Sequence, residues 1–167
     1  MPTVVALAID EPGPIQRARD SVGRLEGSAE PYLALSVLDD TNAEEVAREI
    51  GRLAAASSAL SIGVSGLGIF PGEQPVIYAS VLLSDPLLNL HRAVSQGLGA
   101  FREAIRPTYR PGNWMPHITL LAREDPNAVP AGIAKLMECP IRGVYRSSAI
   151  LVVTGPPPVV QNRFALT

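Results

Sequence analysis

The chain has 167 residues, 47% hydrophobic and 18% charged, with 14 Lys and Arg against 16 Asp and Glu and a formal net charge of −2. This supplies enough apolar material for one compact domain or two small fused halves and excludes a disordered tail protein. With no basic run, it also excludes a grip on long nucleic acid through many phosphates.

Val4 to Ile9 (VVALAI) is a β-branched apolar run stopped by Asp10-Glu11-Pro12-Gly13-Pro14, the pattern of a buried strand and its turn. In Ile15 to Leu25 apolar residues recur at three and four, with Gln16, Arg17, Arg19 and Asp20 opposite, which predicts a helix ended by Gly27-Ser28. Pro31 to Leu38 predicts a second strand. Asp39-Asp40-Thr41-Asn42 then offers capping oxygens to a helix over Ala43 to Ala56, whose inner stripe is Val46, Ile50 and Leu53. Leu60 to Phe70 and Val76 to Leu83, joined by Pro71-Gly72-Glu73-Gln74, form a predicted antiparallel hairpin. Asp85-Pro86 opens another helix, with the acid as cap and Leu87, Leu90, Val94, Leu98 and Phe101 on its buried face. After the loop RPTYRPGNW come a strand over Met115 to Ala122 and a short helix over Val129 to Met137. Two strands, Ile141 to Val153 and Val159 to Leu166, close the chain around Gly155-Pro156-Pro157-Pro158. The helices separate strand runs that can pair in two sheets, so the expected class is α+β, with antiparallel sheets and outer helices.

Sliding the sequence against itself by 85 residues places Pro31 on Pro116, Leu35 on Leu120, Asp40 on Asp125, Asn42 on Asn127 and Ala43 on Ala128. The flanks agree at shifted offsets, VVALAIDEPGP with VIYASVLLSDP. Residues 1–167 are therefore expected to form a single domain of two intertwined, pseudosymmetric repeat lobes. The strands beginning at Pro31 and Pro116 would then face one central cleft.

Within the second of these strands, His117 and Thr119 are two residues apart and point to one face, while Ile118 and Leu120 point to the other. An imidazole that titrates near neutrality beside a hydroxyl donor suits phosphoester chemistry. The alternative, a histidine on a half-buried strand with no chemistry, is weakened by the surrounding sequence. WMPHITLLAR, PYLALSVL, the hairpin GLGIFPGEQPVIYASV and the late strands ending in RFAL together resemble the two-histidine (2H) phosphoesterase superfamily over nearly the whole chain. That superfamily includes bacterial 2′-5′ RNA ligase-like proteins and cyclic nucleotide phosphodiesterases.

The resemblance implies two α+β lobes with one His-x-Thr/Ser motif each, facing across a cleft, with no metal and no cofactor. One histidine would act as base, the other would protonate the leaving oxygen, and the hydroxyls would hold the phosphate. Here the second motif is intact as His117 and Thr119, whereas Tyr32 and Ala34 occupy the first. Tyr32, with an ordinary pKa of about 10, can donate a proton but is a poor base. Two readings follow. The first is a phosphoesterase acting on a small 2′,3′-cyclic or 2′-5′-linked nucleotide, with His117 as acid/base, Thr119 on the phosphate and Tyr32 as substitute donor. The second is a catalytically impaired module that binds a nucleotide or RNA end in the same cleft.

Among the remaining candidates, Arg123 shares strand parity with His117 and is expected to reach an anionic ligand, and Trp114 is expected to flank the ligand, either stacking on it or anchoring its loop. Arg110 and Tyr109 read as a loop charge and a loop anchor, and His91 as a packing histidine beside a helical stripe. Gly63, Gly66 and Gly68 are not a phosphate loop and mark bulges or close packing. Asp39, Asp40, Glu124 and Asp125 read as helix caps and not as a metal site. Cys139 is the single cysteine, which excludes an internal disulfide and points to a buried thiol. No apolar run reaches the roughly 18 residues of a membrane span, and the N-terminus lacks a basic flank, so the expected compartment is the cytoplasm.

Overall fold

The structure, a computed structural model, describes residues 1–23, 30–122 and 125–167. The chain runs β1 (Thr3–Ala8), α1 (Gly13–Ser21), β2 (Tyr32–Leu38), α2 (Ala43–Ala55), β3 (Leu60–Phe70), β4 (Val76–Val81), α3 (Asp85–Gly97), β5 (His117–Ala122), α4 (Val129–Met137), β6 (Gly143–Ser147), β7 (Ala149–Thr154) and β8 (Val159–Ala165). Short 3₁₀ turns lie at Gly99–Phe101, Pro107–Tyr109 and Pro126–Ala128.

The strands form two antiparallel sheets, ordered β2-β1-β7-β8 and β5-β4-β3-β6. This is the expected α+β architecture of two similar lobes, and the sheets exchange strands: β3 follows the first lobe's helices yet joins the second sheet, while β7 and β8 complete the first. One apolar cluster spans both, from Leu7, Leu33 and Ile50 to Ile62, Ile77 and Ile118, all fully buried. Full burial of such a side chain contributes about 1.5–3 kcal/mol, so the two lobes hold each other together.

The repeat is present in the backbone as well as in the sequence. In β2 the pairing with β1 skips Leu35, because Val5 faces Ser36 and Ala6 faces Ala34. In β5 the pairing with β4 skips Leu120, because Ile77 faces Leu121 and Tyr78 faces Thr119. Each lobe carries a bulge at the same repeat position, just past its motif, and a bulge locally reverses which residues face which side.

Several expected boundaries move. The apolar run Ile141 to Val153 is not one strand: it breaks at Ser148, whose N–H and hydroxyl both donate to the Asp10 carboxylate, at 3.1 and 2.9 Å. On one side of the break β6 pairs with β3, and on the other β7 pairs with β1. The third helix is capped by Ser84, whose hydroxyl accepts from Leu87 N–H, with Asp85 as its first residue. Helix α1 begins at Gly13, two residues before the predicted start, and ends at Ser21; the predicted stop at Gly27-Ser28 lies outside the described residues. Cys139 is half-buried and not buried, because it sits in the turn after α4, with Sγ 3.5 Å from the Lys135 carbonyl. Asn42 and Asp125 act as caps, accepting from Glu44 and Asn127 N–H. Among the described residues no helix is long and apolar enough to cross a membrane.

Candidate active site

Strand β5 pairs His117 with Ser80 and Thr119 with Tyr78, on the face opposite the fully buried Ile118. His117 and Thr119 line a cavity of about 550 Å³, together with Phe70, Val76, Tyr109, Trp114 and Arg106. The His117 ring is set from both sides. Its Nδ1 lies 2.9 Å from the Met115 carbonyl oxygen. A carbonyl only accepts, so Nδ1 carries the hydrogen and Nε2 keeps its lone pair. Phe70 meets the imidazole edge-on at 4.9 Å, and the Tyr78 ring lies 5.3 Å away. Burial holds the imidazole below its ordinary pKa, only partly offset by the bond to Met115, so the neutral form prevails at pH 7. The group presented is a neutral imidazole whose free nitrogen can take a proton.

Tyr78, which the sequence did not single out, packs beside this site. Its ring stacks on Phe70 at 4.3 Å and lies across Gly68, its cross-strand partner. A Cβ at residue 68 would overlap the Tyr78 ring. The close packing read from the glycines is thus realised at Gly68. Gly68→Ala is expected to displace the tyrosine and cost about 1–3 kcal/mol, measured as a lower urea midpoint with unchanged slope. Such a clash has no cheap relief, because Phe70 and His117 occupy the other sides of the ring.

Trp114 lines the cavity as part of a rivet. Its indole N–H donates across the cleft to the Ala34 carbonyl at 3.1 Å, and its ring stacks parallel on His91 at 4.0 Å. His91 is 1% exposed, and its Nε2 is 2.9 Å from the Tyr109 carbonyl. The packing role read for His91 holds, and its partners Tyr109 and Trp114, both cavity residues, tie α3 to the loop before β5. Nδ1 is buried and has no hydrogen-bond partner among the described residues, and burial pushes the ring's pKa down, which keeps it neutral at pH 7. His91→Leu is expected to lose the Tyr109 bond and the stack at a cost of about 1–3 kcal/mol. It should also alter the fluorescence of Trp114, the single tryptophan.

The first-lobe positions differ. Tyr32 and Ala34 pair with Ala8 and Ala6 on β1, and Ala6 pairs on with Leu151. Ala34 is 8% exposed and Tyr32 half-buried, packed against the small cluster of Ala8, Ala149, Leu151 and Val153. Tyr32 does not line the His117 cavity; Tyr109, which does, has its pKa raised by burial first and by the neighbouring Tyr32 second. Burial raises the Tyr32 pKa too, with Arg19 acting the other way, so it remains a phenol at neutral pH.

Arg123 lies outside the described residues. Up to there, the bulge at Leu120 sets the register of β5: Leu121 pairs with the buried Ile77, and Ala122 with the cavity residue Val76. Arg110, read as a loop charge, donates to the carbonyls of Ile105 and Arg102 and so braces its turn. The cavity cation that sequence reasoning missed is Arg106, which makes a forked bridge to Asp39 at 2.7–3.1 Å. Asp39, read as a helix cap, is this bridge partner instead. Among the described residues no three His, Cys, Asp or Glu side chains group as metal ligands.

Residues 6–148 match the sequence profile of the 2′-5′ RNA ligase superfamily. The fold is similar to that of TT0787 of Thermus thermophilus, at 22% identity and a TM-score of 0.70, over 99% of this chain and 98% of that one. It is similar to E. coli LigT complexed with 3′-AMP, at 17% identity and a TM-score of 0.63, over 99% and 96%. Kluyveromyces marxianus Usb1 matches at 12% identity and a TM-score of 0.57, over 95% and 96%. No curated protein matches. With the family's profile matched over most of its length on this two-lobed fold, the chain belongs to the 2′-5′ RNA ligase superfamily of 2H phosphoesterases.

Proposed function

We propose that this protein hydrolyses a small 2′,3′-cyclic or 2′-5′-linked nucleotide by metal-independent acid/base chemistry centred on His117. In this reading residues 1–167 are one domain of two intertwined lobes. The observation that carries it is the His117 imidazole, locked by Met115 with its free Nε2 in a cavity walled by aromatic rings. Nε2 takes the proton of the attacking water, which adds to phosphorus, and the Thr119 hydroxyl donates to a phosphate oxygen. The bond from phosphorus to the ribose oxygen breaks, and that oxygen takes a proton from the Tyr32 phenol or from water. Trp114 and Phe70 offer apolar faces to a base. E. coli LigT, of similar fold, has been solved with 3′-AMP, ATP and phosphate, which supports a small nucleotide as ligand.

A second reading rests on the row Ala34, Ala6 and Leu151, which brings no polar side chain to residue 34, the first lobe's hydroxyl position. On that reading the cavity binds a nucleotide or RNA end without turnover. Hydrolysis of a panel of 2′,3′-cyclic nucleotides and 2′-5′ dinucleotides, in chelator, separates the two. Turnover lost in His117→Ala supports the phosphoesterase; no turnover with saturable binding supports the module.

A further inference from the structure

We infer that Arg106 is the anion-holding cation of the His117 cavity and that Asp39 keeps it in reserve, so that a nucleotide phosphate binds by drawing the guanidinium off the carboxylate. The inference rests on the phosphoester reading above and adds the positive charge that reading lacks.

Among the described residues lining the cavity, Arg106 is the one cationic side chain, since His117 is neutral and the rest carry no charge. A phosphate seated against Thr119 would otherwise meet hydroxyls, an amide and aromatic walls. The place of Arg106 is built into the fold. Its N–H donates to the Val37 carbonyl at 2.9 Å, and Asp39 N–H donates to the Ala104 carbonyl at 3.0 Å. Between them Leu38 and Ile105 form an antiparallel bridge. The segment is thus zipped to the end of β2, the strand that carries Tyr32 and Ala34 in place of the expected His and Thr. A cation supplied from beside the altered motif faces the same cavity as the intact one.

The carboxylate that holds Arg106 is poorly placed to keep it. Nε and Nη2 make the fork to Asp39, yet the two side chains are 46% and 49% exposed. Ion pairs that exposed gain little over their hydrated forms. The planar fork fits phosphate as well as carboxylate, and a phosphate monoester carries up to about twice the charge of a carboxylate at pH 7. Exchanging one anion for the other costs no hydrogen bonds.

The test is titration of the full chain with 3′-AMP, adenosine and inorganic phosphate, followed by calorimetry and by Trp114 fluorescence. The wild type is expected to prefer 3′-AMP over adenosine by about 10- to 100-fold, the worth of charge-assisted hydrogen bonds. Arg106→Gln should erase that margin, and Arg106→Lys should restore part of it. Asp39→Asn should bind 3′-AMP more tightly than the wild type, because the fork is released; a merely structural bridge predicts the opposite. Circular dichroism and melting of each variant establish that it is folded. If Arg106→Gln keeps the margin, or folded Asp39→Asn binds 3′-AMP no better than the wild type, the assignment fails. Where Thr119→Val removes the margin and Arg106→Gln does not, the phosphoester reading stands and Arg106 is excluded. A wild type that does not distinguish 3′-AMP from adenosine overturns both.

Discussion

His117→Ala is expected to lower kcat/KM for a 2′,3′-cyclic nucleotide by about 10²–10⁴, the usual worth of one positioned acid or base, without unfolding the chain. The pH profile distinguishes loss of a base from loss of packing. The working form is the neutral imidazole, so kcat/KM rises with pH as His117 loses its proton and is flat above. Burial places that transition below the ordinary histidine value of about 6.5, and the acid limb should lie correspondingly low. His117→Ala should abolish the limb as well as the rate. A wild-type limb above the ordinary value, or one that survives the substitution, would mean that another group titrates. Stability carries the same sign. Both histidines are held below their unfolded values, so each adds stability above about pH 6.5 that is lost as pH falls toward the folded pKa.

What the sequence conveyed and what it hid divide along physical lines. Local periodicity placed β5, its two cleft-facing residues and the four helices, because side-chain alternation and helical spacing are written in neighbouring residues. The repeat was legible because both copies retain proline, leucine, aspartate and asparagine at one offset. Contacts between distant segments were not. A run of valine and isoleucine reads the same whether it stays in one sheet or crosses to another, so the break at Ser148, made by Asp10, was invisible. The bulges escaped for a related reason: Leu120 and Leu121 are both apolar, and only the pairing with β4 shows that both turn inward. Arg106 was missed because its position depends on a bridge between Leu38 and Ile105, far apart in the chain. Tyr78 had a local signal, a glycine in the opposite strand of a predicted hairpin, but the hairpin register was needed to use it.

Restoring the first motif with Tyr32→His and Ala34→Thr together is expected to raise kcat on a cyclic nucleotide by about 10²-fold, and Tyr32→Phe alone to lower it, if the phenol donates the proton. The backbone supports the substitution. Residues 32 and 34 precede the bulge at Leu35 as 117 and 119 precede the bulge at Leu120, so the two pairs occupy equivalent pleats. The neighbours of Ala34 across the sheet are small, Ala6 directly and Ala8 beside it. The Trp114 bond goes to the Ala34 carbonyl and survives any side chain there. The cost falls on Tyr32, which packs against the cluster of Ala8, Ala149, Leu151 and Val153; the smaller imidazole gives up part of that contact, about 1–2 kcal/mol. An imidazole at 32 brings a second proton carrier with a pKa near neutrality, and a hydroxyl at 34 a second hold on the phosphate. A folded double variant with unchanged kcat would mean that the first-lobe pleat does not face the reacting phosphate. Trp114 and the loop it anchors would then close the cavity on that side, and His117 would work without a partner from β2.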